Sequence, residues 1–141
     1  MRWLALDIWS RRVGVAVCDA DEQLASPLHA IRFVGPERLA EAVAELARTW
    51  DAEGVVVGVP RTKAGGSRGE NRVSSVVAAL ERRLGVPVET IDESGTTVAA
   101  EALLAEAGVP RTRWEALVDS LAARLILEAH ISSRRSRPRG R

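Results

Sequence analysis

Trp3-Leu4-Ala5-Leu6-Asp7 and, a few residues on, Arg12-Val13-Gly14-Val15-Ala16-Val17-Cys18-Asp19 decide the fold. Residues 3–8 form a nearly continuous apolar run broken only by Asp7, as a strand covered on both faces requires. In the second stretch Val13, Val15 and Val17 alternate with Gly14, Ala16 and Cys18. That period of two gives a strand with one bulky and one small face. Asp19-Ala20-Asp21-Glu22 makes a polar turn, and residues 23–33 read as a third strand, broken or bulged near Pro27. The three strands predict an antiparallel meander.

Beyond the meander the pattern changes. Pro36 suits the first turn of a helix, and Leu39, Val43, Leu46 and Trp50 follow at helical spacing. Val55-Val56-Val57 is the β-branched run of a buried parallel strand. Ser67-Arg68-Gly69-Glu70 matches a capping box, and Val73, Val76, Val77, Leu80 and Leu84 supply the stripe of the helix it opens, with Gly85 and Pro87 at its end. Residues 86–91 predict another strand and residues 96–107 a helix stopped by Gly108 and Pro110. Thr112-Arg113-Trp114-Glu115 is a second capping box, opening a helix to about residue 131. The order βββ-α-β-α-β-α-α predicts an α/β fold of the ribonuclease H-like kind: a mixed five-stranded sheet, its first three strands antiparallel, with helices on both faces.

A chain of 141 residues with 46% apolar content can bury one substantial core, so residues 1–131 read as a single domain. Net charge is only +1, but Arg134, Arg135, Arg137, Arg139 and Arg141 all fall in the last ten residues, interspersed with Ser, Pro and Gly. Residues 132–141 therefore read as a flexible basic tail. Such an arm binds phosphate backbones through counterion release, or stays solvated and partnerless. A single cysteine, Cys18, excludes an internal disulfide. No early stretch has the order of a signal peptide, and no segment approaches the ~20 apolar residues of a membrane span, so a cytoplasmic protein without a membrane partner is expected.

Three acidic positions carry the chemistry. Asp7 closes the first strand at its carboxyl end, where open α/β sheets place their ligands. A turn-forming role is the alternative for an aspartate there. Asp119 lies on a helix that is apolar around most of its circumference, so its carboxylate needs a cation or a strong hydrogen-bond partner; a salt bridge to an arginine would serve as well. Of Asp92-Glu93, neighbours in an extended chain point to opposite faces, and Glu93 is the preferred member. Carboxylates that share a site repel unless a cation joins them, and Mg2+ or Mn2+ suits hard oxygen ligands. If Asp7, Glu93 and Asp119 converge, the chemistry they support is metal-assisted hydrolysis of a phosphodiester.

Four blocks in order resemble the YqgF/RuvX-type Holliday junction resolvases of the ribonuclease H-like superfamily. They are Leu4-Ala5-Leu6-Asp7 through Arg11-Arg12-Val13-Gly14-Val15-Ala16-Val17-Cys18-Asp19; Val56-Val57-Gly58-Val59-Pro60 with its glycine-rich loop; Ile91-Asp92-Glu93 with Thr96-Thr97; and Asp119-Ser120-Leu121-Ala122-Ala123 with Ile126-Leu127. The resemblance implies that Asp7, Glu93 and Asp119 form an acidic triad and that Arg11 and Arg12 lie at the substrate mouth. It implies a metal-dependent endonuclease on branched DNA, or, within the same family, a nuclease maturing precursor 16S rRNA. Symmetric cutting of a four-way junction needs two sites, hence a possible homodimer.

The chain also departs from that pattern. Trp9 stands where the family usually has Gly, Ser94-Gly95 replace Arg-Leu, Thr62 and Ala64 replace Asn and Asp, and Glu115 occupies a position that is commonly Lys. Trp9 could stack on a base or narrow the site. These changes motivate a second class of reading, a nucleic-acid-binding module with weak or no catalysis. The loop over residues 60–69 lacks the Gly-Lys-Ser/Thr ending of a P-loop, and its Lys63, the sole lysine, is a candidate phosphate contact. His29 and His130 have no ligand spacing, Cys18 reads as a small core residue, and Trp3, Trp50 and Trp114 read as packing residues.

Overall fold

A computed structural model describes residues 1–8, 11–59, 68–92 and 95–136, the side chains of residues 68–71 excepted. Its elements follow the predicted order: β1 (Trp3–Asp7), β2 (Arg12–Cys18), β3 (Ala25–Arg32), α1 (Pro36–Trp50), β4 (Gly54–Val59), α2 (Arg68–Arg83), β5 (Val88–Asp92), α3 (Thr96–Glu106) and α4 (Trp114–Ser136). The five strands form one sheet in the order β3-β2-β1-β4-β5. β1 pairs antiparallel with β2 and parallel with β4, and β2 pairs antiparallel with β3, so the meander and the parallel half share β1 as their hinge strand.

The alternation seen in the sequence sorts the two faces. Leu4, Leu6, Val13, Val15, Val17, Val55 and Val57 pack with Leu39 and Val43 of α1 and Val76 and Leu80 of α2 in one buried cluster. Trp3, Ala5, Ala16, Cys18 and Val56 turn the other way and pack under Ala123, Ile126, Leu127 and Ile131 of α4. The small residues of β2 thus meet a long helix, which can approach closely because little side chain stands between. Each large residue buried there contributes about 1.5–3 kcal/mol. At Gly58 of β4 an added Cβ would sit 2.4 Å from Cδ1 of Ile126, so glycine is what lets α4 close over the parallel half.

Some expectations are refined or corrected. The bulge expected near Pro27 of β3 is present just beyond it, Pro27 itself pairing with Ala16. The bulge falls where Val13 faces Ile31 and Val15 faces Leu28, leaving one extra residue on β3. Trp50 ends α1 and is 39% exposed rather than packed. Thr112 lies inside a 3-10 turn, Arg111–Arg113, that precedes α4, instead of capping it. The first capping box begins at Ser67, outside the described residues. Finally, α4 does not stop near residue 131 but runs to Ser136. The first half of the supposed tail is therefore helix.

Candidate active site

Asp7 is the last residue of β1 and is buried, with 8% of its surface exposed. Trp3 and Ala5 lie under α4, and the period of two places Asp7 on that same side. Its strand neighbours are both glycines: Gly14 on β2 and Gly58 on β4. A Cβ at Gly14 would stand 1.8 Å from the carbonyl oxygen of Asp119, so the absence of a side chain is what allows the start of α4 to rest on β2 beside Asp7. The Val15 amide donates to Oγ of Ser120 at 3.3 Å, a second tie at the same point. The backbone of Asp119, remote in sequence, thereby rests on Gly14, the strand neighbour of Asp7 at the carboxyl end of the central strand.

Asp119 is also paired with an arginine, the alternative that the sequence left open. Its side chain is 14% exposed, and its Oδ2 lies 3.5 Å from Nε of Arg12. Nη2 of the same guanidinium is 2.9 Å from Oε1 of Glu115, one helical turn earlier on α4. Arg12 thus leans onto the acidic face of α4, where its charge offsets that of the neighbouring carboxylates. Arg11 is exposed, and its carbonyl accepts from the Phe33 amide at 2.8 Å, which fixes the backbone at the edge of the site.

At the end of β5, Ile91 packs against the α4-side cluster, and Asp92, paired with Val59, is exposed. Glu93 lies outside the described residues, as do Trp9, Lys63 and Arg137. Among the described residues no group of three His, Cys, Asp or Glu side chains stands close enough to hold an ion. Carboxylate oxygens such as those of Asp7 and Asp119 are hard ligands of the kind that divalent cations take.

Arg134 and Arg135 are placed elsewhere than a free arm would have them. Nε of Arg134 lies 3.4 Å from Oε1 of Glu22, and its guanidinium rests 5.0 Å over the Trp3 ring. Arg135 donates to the Glu22 carbonyl at 2.6 Å. The Met1 amine reaches the same Glu22 at 2.9 Å. The Glu22 carboxyl is held below its ordinary range: burial acts to raise it, and the bonds from the Met1 amine and Arg134 outweigh that. This clasp sits about fifteen residues of helix from Asp119, roughly 22 Å at 1.5 Å per residue. The sequence ended the helix at its last apolar residue. Arginine stems, however, lie along apolar surface while their heads pair, and here Trp3 supplies the surface.

Three participants were missed by sequence reasoning. Gly14 and Gly58 stood in quoted motifs without a role, and Ser120 was read as part of a block. The signal for Gly14 was its place on the small face of β2.

Comparison with known proteins follows the same lines. The sequence model of the RuvX family, described as Holliday junction resolvase, matches residues 1–133. A Chloroflexus aurantiacus protein named "Putative pre-16S rRNA nuclease" is 39% identical over 137 residues, covering 96% of this chain and 89% of that protein. A protein of the same name from Desulforudis audaxviator is 40% identical over 138 residues, with 96% and 97% covered. Among solved structures, T. thermophilus RuvC in complex with Holliday junction substrate superposes with a TM-score of 0.60 at 19% identity over 96% of each chain. The fowlpox virus Holliday junction resolvase gives 0.55 at 12% identity, covering 94% of this chain and 99% of its own. Identities this low carry the fold alone, and that fold is the ribonuclease H-like one. Among the described residues no helix is long and apolar enough to cross a membrane.

Proposed function

The chain belongs to the RuvX family, and we propose that it is a divalent-metal-dependent nuclease that hydrolyses phosphodiester bonds of structured nucleic acid, with branched DNA as substrate. The observation that carries this reading is that Asp7, buried at the carboxyl end of β1, pairs with Gly14, against which the backbone of Asp119 rests. Asp7 and Asp119 hold the ions together with Glu93. The alternation that sets Ile91 on the α4 side favours Glu93 over its neighbour Asp92 as the third ligand. Mg2+ or Mn2+, when bound, supplies the positive charge that lowers the pKa of an attacking water and steadies the leaving oxygen.

The remaining steps belong to this chain. Strand pairing on both sides fixes the Asp7 backbone, and burial narrows the freedom of its side chain. Burial of Asp7 and Asp119 strengthens their hold on a cation. Arg11, exposed at the rim, and Trp9 and Lys63 engage the backbone and bases of the substrate, and Arg135 and Arg137 contact phosphates farther along. Two copies of the chain act on one junction, and the protein works in the cytoplasm. A second reading is favoured by the names of its relatives at 39% and 40% identity: maturation of precursor 16S rRNA by the same hydrolysis.

Incubating the protein with labelled four-way junction DNA, single-stranded DNA and precursor 16S RNA, under Mg2+, Mn2+ or chelator, tests all of this. Metal-dependent cleavage that disappears in Asp7→Asn is the expected result, and the preferred substrate separates the two readings. Metal-independent binding with no product on any substrate would leave only a binding module.

A further inference from the structure

The contact of Arg12 with both Glu115 and Asp119 asks what the guanidinium does when substrate arrives. One planar fork spans two carboxylates a helical turn apart, with Nε toward Asp119 and Nη2 toward Glu115. The two ends differ. The side chain of Asp119 is 14% exposed, whereas that of Glu115 is 85% exposed. Glu115 is therefore too far out to act on a scissile phosphate, but it determines where Arg12 rests. A cation arriving at Asp119 removes the inner attraction and leaves only the exposed arm. Exposed ion pairs are weak and readily exchanged for a phosphate.

We propose that Glu115 is a positioning residue that holds Arg12 down as the counter-ion of Asp119, so that Arg12 is released to grip the phosphate backbone only once a divalent cation has taken that carboxylate. Resting on the nuclease reading above, this makes cation and nucleic acid bind cooperatively, each tightening the other by the same factor. It also keeps the metal-free protein from holding nucleic acid unproductively.

Two measurements at low ionic strength test it, because the pairs are screened by salt. In the first, Mn2+ affinity is read from the free-ion electron spin resonance signal, without nucleic acid. Arg12→Gln is expected to tighten Mn2+ by roughly two- to fivefold, the range an exposed or half-exposed pair supplies. Unchanged or weaker Mn2+ binding would overturn the counter-ion role. In the second, binding of labelled junction DNA is measured in chelator and in Ca2+. Glu115→Gln is expected to raise affinity in chelator by a similar factor and to shrink the gain brought by Ca2+.

Plain relief of repulsion between Glu115 and phosphate would also raise affinity, so the double variant decides. On an Arg12→Gln background, Glu115→Gln should gain nothing. An equal gain there would refute the positioning role while leaving the nuclease intact. Arg12→Lys keeps the charge but cannot span both carboxylates, and should behave like Glu115→Gln. Failure of the wild-type protein to bind either junction DNA or precursor 16S RNA in Ca2+ would defeat the nuclease reading, whereas binding by the wild type that Glu115→Gln leaves unchanged in chelator would defeat this proposal alone.

Discussion

Asp7 and Gly14 face each other across β1 and β2, and each has a separable consequence when replaced. Asp7→Asn keeps the shape of the side chain and removes the charge on which a cation depends. Cleavage should fall more than about a hundredfold, beyond the loss usual for an outer partner of a metal ligand. Melting in chelator should stay within about 1 kcal/mol of wild type; a large drop there would mean that Asp7 is structural. Gly14→Ala acts oppositely. Its Cβ meets backbone at 1.8 Å, which no rotamer change relieves, so α4 must lift. We expect a loss of about 1–3 kcal/mol or more in denaturant titration, together with weaker metal binding. An alanine variant of wild-type stability would disprove the close approach.

α4 is the element that joins the two ends of the molecule. Its start carries Asp119 and its last turn carries Arg134, which reaches Glu22. A carboxylate whose folded pKa is depressed stabilises the protein above its unfolded pKa and ceases to do so as pH falls through the folded value. Glu22 is such a group. Glu22→Gln should therefore lower stability at neutral pH and flatten its decline on acidification below about pH 4.5, measured by melting across pH. Parallel curves for the two proteins would rule out the clasp. The helix also redraws the basic arm. Truncation must begin after Ser136, since Arg134 belongs to the fold. Removing residues 137–141 should leave melting unchanged and reduce the salt slope of nucleic-acid binding by about 0.9 for each phosphate that the arm neutralises. A slope that does not move would show the arm to be a bystander.

For the molecule as a whole, a cation that binds only the folded state must stabilise it. At a hundred times its Kd the gain is about 2.7 kcal/mol, visible as a rise in Tm that Asp7→Asn and Asp119→Asn should both abolish. A rise that survives either variant would place the ion elsewhere. The strands of the sheet, their order along the chain and the identity of its two faces were legible in the sequence, because alternation with period two is a local pattern that burial enforces residue by residue. Asp7, ending an apolar strand, could be picked out for the same reason. Its companion on α4 was suspected from burial, but whether Asp119 would face a cation or an arginine depended on what stood opposite, and Arg12 stands there while the Asp119 backbone rests on Gly14. The helical reach of Arg134 and the purpose of Gly14 were equally beyond local pattern. A side chain's environment is set by groups far away in the chain, and only packing α4 across β1 and β2 brought them within contact distance. What the residues determined alone was the strand-and-helix order and the small face of β2; tertiary structure decided which charges meet, since Coulomb and steric forces act through space rather than along the sequence.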